Sequence, residues 1–215
     1  PLMKKNDAAY VYSSFRHSIE EHQMYSDYKK VIEGKHRFIG IGDSLTTKYI
    51  DEWSDPKIGI RSAWYVNWDK HSYMSLKKNI KQLNLVIPEW FFINPKKDTL
   101  EVRIDKKALL LMRKAGIPIM PMLTNNYGSN FQSASIGRIM KNPVKRAKLV
   151  NQLSYLCQKN HFQGINLDLE ELNINDDSLL TQLVKDVSDS FHKDGMYVTQ
   201  EIAPFNDDYN LPSLS

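Results

Sequence analysis

From Lys57 onward, short apolar runs alternate with amphipathic stretches, a rhythm that restricts the chain to layered α/β folds with a parallel sheet. Residues 58–67 read as a strand and 72–83 as a helix with Leu76, Ile80 and Leu83 on one face. An apolar run at 85–93 follows, then a helix over 104–115 stopped by Gly116, and a third strand at 117–123. Pro143 stands just inside a helix that reaches about residue 160, with Asn142 as its N-cap. A strand at 164–169, a helix at 178–192 ending near Gly195, and a strand at 197–202 complete five βα-type units. Right-handed crossovers allow a doubly wound sheet or a (β/α)8 TIM barrel. No glycine-rich phosphate loop follows the first strand, which argues against the nucleotide-binding sheet and favours the barrel.

Residues 1–56 are polar and helix-leaning, with one strand-like run at 38–41 and a turn at Gly42-Asp43. They read as an N-terminal extension or cap, and 57–215 as a partial barrel. The single cysteine, Cys157, excludes an internal disulfide and a cysteine-based zinc site. The six histidines show no metal-ligand spacing, so neither a metal nor another cofactor is expected. Net charge is +4, but the lysines are dispersed rather than interleaved with aromatics, so a solvated surface is expected and not a nucleic-acid interface. No apolar run approaches the ~20 residues of a membrane span, and no targeting segment is visible.

The run from Phe162 to Glu170 carries the chemistry. Strand alternation puts Asn166, Asp168 and Glu170 on one side, which in a barrel faces inward, with Glu170 at the strand's C-terminal end. A carboxyl group there can protonate a leaving-group oxygen if a second carboxylate two residues away raises its pKa. The competing reading is a polar strand end making ordinary ion pairs.

This run resembles the signature of family 18 glycoside hydrolases, which lies on the fourth barrel strand. Phe162, Gly164, Ile165, Leu167, Asp168 and Glu170 match it. Gln163 and Asn166 stand where the family usually has aspartates, and Leu169 where an aromatic residue is common. The resemblance implies that Glu170 is the catalytic acid and that Asp168 orients and stabilises the acetamido group of an N-acetylhexosamine. It implies substrate-assisted, retaining hydrolysis of a chitin-like or peptidoglycan-like polymer, the acetamido carbonyl itself attacking the anomeric carbon. Residues 63–69 resemble the family's first strand with its cleft aromatics, and 198–204 its fifth. Residues 88–92, 121–126 and 166–171 are similar to the family 18-like module of bacterial multidomain proteins that also carry a polysaccharide deacetylase and a glycosyltransferase domain. That likeness implies further domains in the same polypeptide and an extracytoplasmic or cell-envelope location, in a longer and membrane-anchored protein.

Candidate substrate-binding residues are Asn166, Tyr65, Trp68, Trp90, Asn125 and Gln200. The aromatic rings either stack on sugars or pack in the core. Asn125 and Asn126 either bond hydroxyls or form a turn. Gln200 has the parity to point into the barrel, as an amide donor or a buried structural group. Glu171 should face outward, in an ion pair with a helix. Gly42-Asp43-Ser44-Leu45 spells the nucleophile block of GDSL-type esterases, with Ser44 as nucleophile, but no histidine occurs in the last twenty residues to activate it.

A family 18 barrel has eight strands, and the sequence stops after the fifth. The expectation is therefore a fragment of a longer protein, which a native product of 25 kDa by mass spectrometry would overturn. Two function classes follow. Asp168 and Glu170 favour a glycosidase, whereas Gln163, Asn166 and Leu169 favour a weak or inactive carbohydrate-binding module of the same fold.

Overall fold

The computed structural model describes residues 43–173 and 176–202. It begins with helix α1 (Asp43–Ser54), so Ser44 lies in a first helical turn; the strand expected before it is outside the described residues. Strand β1 (Ser62–Tyr65) leads to α2 (Lys70–Asn79), capped by the Asp69 carboxylate accepting from the His71 N–H. A short 3₁₀ turn (Ile80–Gln82) then feeds β2 (Leu85–Asn94). Strand β3 (Thr99–Val102) folds back on β2, and α3 (Lys106–Ala115) starts two residues later than the apolar pattern suggests. The reason is Asp105, whose carboxylate accepts from the Lys107 and Ala108 N–H groups and fixes the helix start there. Gly116, at φ 65°, ends α3 in the left-handed conformation a side chain disfavours.

After β4 (Met122–Thr124) come α4 (Ser133–Lys141) and α5 (Pro143–Lys159). Asn142 caps α5 through the Val144 and Lys145 N–H groups, with Pro143 in the first turn. Strand β5 (Gly164–Asp168), helix α6 (Asp177–Lys193) and strand β6 (Tyr197–Gln200) complete the described chain.

The parallel strands are ordered β1-β2-β4-β5-β6, with β3 antiparallel on β2. Parallel strands neighbouring in chain order, joined by helices, form the wall of a (β/α)8-type barrel. Two elements escape the sequence reading. Strand β3 is half exposed and too short to show alternation, and α4 has no side-chain N-cap to announce it.

The two faces of the sheet are chemically distinct. The helix side holds the large core, including Trp90, Phe91, Met112, Leu123, Leu153, Leu167, Leu183 and Phe191. The inner face has a smaller cluster of Leu85, Ile87, Met120 and Met122, closed from below by Trp53 of α1. Trp53 is buried, meets Tyr197 edge-on at 5.3 Å, and donates its indole N–H to the Asn84 carbonyl at 3.0 Å. Helix α1 thus packs against the N-terminal ends of the strands, a contact of about 1.5–3 kcal/mol for a large apolar side chain.

Candidate active site

The inner face above the methionines turns acidic. On β5, Asn166 and Asp168 point inward beside Met122 and Thr124 of β4, register partners in the parallel ladder. Asp168 accepts a hydrogen bond from the Thr124 hydroxyl, and its carboxylate also accepts from the Glu170 carboxyl. Burial holds both acids above the ordinary carboxylate range; for Glu170 the neighbouring Asp168 charge adds to it. Two adjoining carboxyl groups, both raised by burial, can share a proton, which is what a general acid and its partner need.

Backbone geometry orients Glu170. Glu171 adopts φ 50°, a sharp turn directly after Glu170, and its carbonyl accepts from the Ser133 hydroxyl. The expected ion pair of Glu171 is not what holds it: the side chain is exposed and the residue serves as a turn. Asn125 does not reach toward a ligand either. It is fully buried, with its Oδ1 accepting from the Glu170 N–H at 3.0 Å and its Nδ2 donating to the Glu170 carbonyl at 2.9 Å. It fixes the backbone of Glu170. Asn126, whose N–H donates to the Thr124 hydroxyl oxygen, belongs to the turn after β4.

The aromatic candidates separate. Trp68 is 75% exposed and donates its indole N–H to Glu89 at 2.7 Å, leaving its ring open at the rim. Tyr65 and Trp90 do not present rings to the cleft, which corrects the expectation of sugar stacking at both. Tyr65 is buried on the helix side, its hydroxyl donating to Asp105 at 2.5 Å. Trp90 is fully buried between Tyr65 and Phe162. Both follow from alternation: Trp64 faces in on β1 and Ile87 and Glu89 on β2, so Tyr65 and Trp90 face the helices, and a register shift between Glu89 and Phe91 sends Phe91 to that side as well.

Gln200 is corrected in the same way. It pairs with Leu167, a helix-side residue, so its amide points away from the cleft, and its buried Nε2 and Oε1 have no partner among the described residues. The inward residue is the next one, Glu201, which accepts from Asn166 Nδ2 at 2.8 Å and from the Trp64 indole N–H at 2.6 Å. Trp64, Val66, Glu89, Met122, Asp168 and Glu201 line a cleft of about 310 Å³. Trp64, Glu89, Thr124 and Glu201 were not singled out in the sequence. Trp64 and Glu201 each sit one position from a chosen residue, and strict alternation counted from Asp168 through the ladder would have found Glu201.

No family model matches the chain. Among curated relatives it is similar to YvbX of Bacillus subtilis, an uncharacterized glycosylase, with 25% identity over 131 residues, 60% of this chain and 38% of that protein. It is also similar to YdhD of the same organism, named as a candidate sporulation-specific glycosylase, with 23% identity over 58% of this chain and 29% of that one. The chain therefore spans well under half the length of these relatives. Among solved structures it resembles a class V chitinase of Pseudomonas fluorescens at TM-score 0.66 and 18% identity, covering 71% of this chain and 50% of that one. It also resembles the spore cortex-lytic enzyme SleL of Bacillus cereus at TM-score 0.59 and 15% identity, covering 66% and 35%. The described chain shares with these structures the fold of a stretch of (β/α)8 barrel, with Asp168 and Glu170 at the C-terminal end of one of its strands.

Proposed function

We propose that this chain contributes the catalytic acid and its partner carboxylate to a glycoside hydrolase acting on N-acetylhexosamine polymers of chitin or cell-wall type. The observation that carries the reading is the paired Asp168 and Glu170 carboxyl groups at the mouth of the barrel, both raised above their ordinary values by burial. Glu170 donates a proton to the departing glycosidic oxygen. Asp168 accepts from the acetamido N–H and stabilises the positive charge that develops when the acetamido carbonyl closes on the anomeric carbon. Net retention follows, because water then opens the cyclic intermediate from the face the leaving group occupied. Two relatives named as glycosylases support the reaction class, and a structurally similar chitinase of Ostrinia furnacalis, seen in complex with a chitooligosaccharide, supports the substrate class. The same reading places the protein outside the cytoplasm at the cell envelope, in a longer polypeptide with deacetylase and glycosyltransferase domains.

The test is hydrolysis of N-acetylglucosamine oligomers by the full-length chain beside Glu170→Gln, with the product anomer read by NMR. Product from the parent alone, in the β-anomer for a β-linked substrate, is the expected result. Equal product from both proteins overturns the assignment of Glu170. A second reading, binding without cleavage, draws on the exposed rings of Trp64 and Trp68 at the rim. Product from neither protein, with oligomer binding retained, would establish it.

A further inference from the structure

One half-buried carboxylate of the cleft has no part in the chemistry above. Glu201 follows β6, yet its Oε1 accepts from Trp64 of β1 and Asn166 of β5, so it links three strands across the inner face. The titratable groups facing it are Asp168 and Glu170 from β5 and its following turn, and Glu89 from β2, all acidic. Among the described residues, the cation near these acids is Arg103, which is hydrogen-bonded to Glu101 and attracted to Glu89.

The neighbour at position 166 is neutral for a physical reason. An aspartate there would set a second carboxylate about where Asn166 Nδ2 now donates, 2.8 Å from Glu201. Two ionised groups at that separation in a buried site repel strongly. Asn166 Oδ1 is itself buried without a partner among the described residues, a position still costlier for a charged oxygen.

Building on the hydrolase reading, we propose that Glu201 is a positioning residue for the Asp168–Glu170 pair, supplying from β6 the like charge against which the pair keeps its shared proton, with Asn166 as the neutral spacer. The sign follows from burial, which pushes Glu201 up to about 7. Below that pH it is neutral. Above it, the new negative charge beside Asp168 and Glu170 strengthens their hold on the proton, so the acid stays loaded further into the alkaline range.

The experiment compares pH profiles of kcat/KM for the full-length chain, Glu201→Gln, Glu201→Asp and the double exchange Asn166→Asp/Glu201→Gln. Glu201→Gln keeps an oxygen for Trp64 and Asn166 but loses the charge, and its basic limb is expected to move down by about one pH unit. Glu201→Asp and the double exchange each retain one carboxylate beside the pair and bring the limb back toward the parent. A uniform loss of kcat in Glu201→Gln with an unmoved limb means a purely structural role and overturns the proposal. A parallel titration of the Glu170 carboxyl by 13C NMR, in the parent and in Glu201→Gln, needs no turnover. A lower midpoint in the variant is expected, and an unchanged midpoint overturns the proposal. If the parent hydrolyses nothing, the hydrolase reading fails while the titration still decides the coupling.

Discussion

Asn125 and Glu170 form a closed two-way contact, the Asn125 side-chain amide accepting from the Glu170 N–H and donating to the Glu170 carbonyl. The backbone of the acid is thereby fixed by a side chain from the neighbouring βα loop, while the carboxyl group stays free to meet Asp168. Asn125→Ala removes both bonds and leaves two part-buried backbone groups unpaired. A loss of about 1–3 kcal/mol per unsatisfied group is the expected scale by thermal or denaturant unfolding. Activity should fall by ten-fold or more in kcat with little change in KM, since the residue holds the acid and not the substrate.

The two tryptophans Trp68 and Trp90 are predicted to fail in opposite ways. Trp68 is exposed, so Trp68→Ala should leave stability nearly unchanged. It should raise KM for oligosaccharides by about 2- to 10-fold, the scale of one aromatic stacking contact. Trp90 lies wholly within the core, and Trp90→Ala should cost about 3–5 kcal/mol. Chemical denaturation beside steady-state kinetics separates the two.

These contrasts show what could be read from the residues. The parallel alternation was legible because β2, β4 and β5 are apolar runs and three helices are announced by the capping residues Asp69, Asp105 and Asn142. Asp168 and Glu170 were legible because strand parity and position determine where a β5 side chain goes. The rest failed where parity is interrupted or has no local anchor. On β2, alternation from Ile87 puts Glu89 in the cleft and Trp90 in the core, and the shift then adds Phe91 to the core. On β6, nothing local says which of Gln200 and Glu201 faces in; only the pairing of Leu167 with Gln200 decides it. Asn125 was visible as a polar residue after a strand, but its partner is a backbone group 45 residues away that no local pattern reveals.

Gly164 sets how closely β5 and β6 approach. A Cβ at this position would stand 2.0 Å from the Tyr197 carbonyl oxygen, and that neighbour is backbone that cannot turn aside. Gly164→Ala must displace β6, which carries Glu201 into the cleft. The expected cost is about 1–3 kcal/mol in unfolding experiments. The hydrogen bonds from Trp64 and Asn166 to Glu201 should loosen as well, visible as a shift of the Trp64 indole N–H resonance.

The cleft acids also predict how stability depends on pH. Glu201 moves from an ordinary value of 4.5 to about 7 on folding, and Asp168, Glu170 and Glu89 are raised as well. A raised carboxyl binds its proton more tightly in the folded state. Its favourable contribution is therefore complete below the unfolded value and is lost as pH climbs through the folded one. Asp98 runs the other way: held well below the usual carboxylate range by Arg138 and Lys145, it contributes above its unfolded value of 3.8 and loses that contribution in acid. The melting temperature should thus pass through a maximum in mildly acidic solution and fall from about pH 4.5 toward 7. In Glu201→Gln the fall over that interval should be shallower, because one proton no longer has to leave a half-buried site. Parallel melting curves for parent and variant across that range would refute the assignment of Glu201 as a half-buried, proton-holding group.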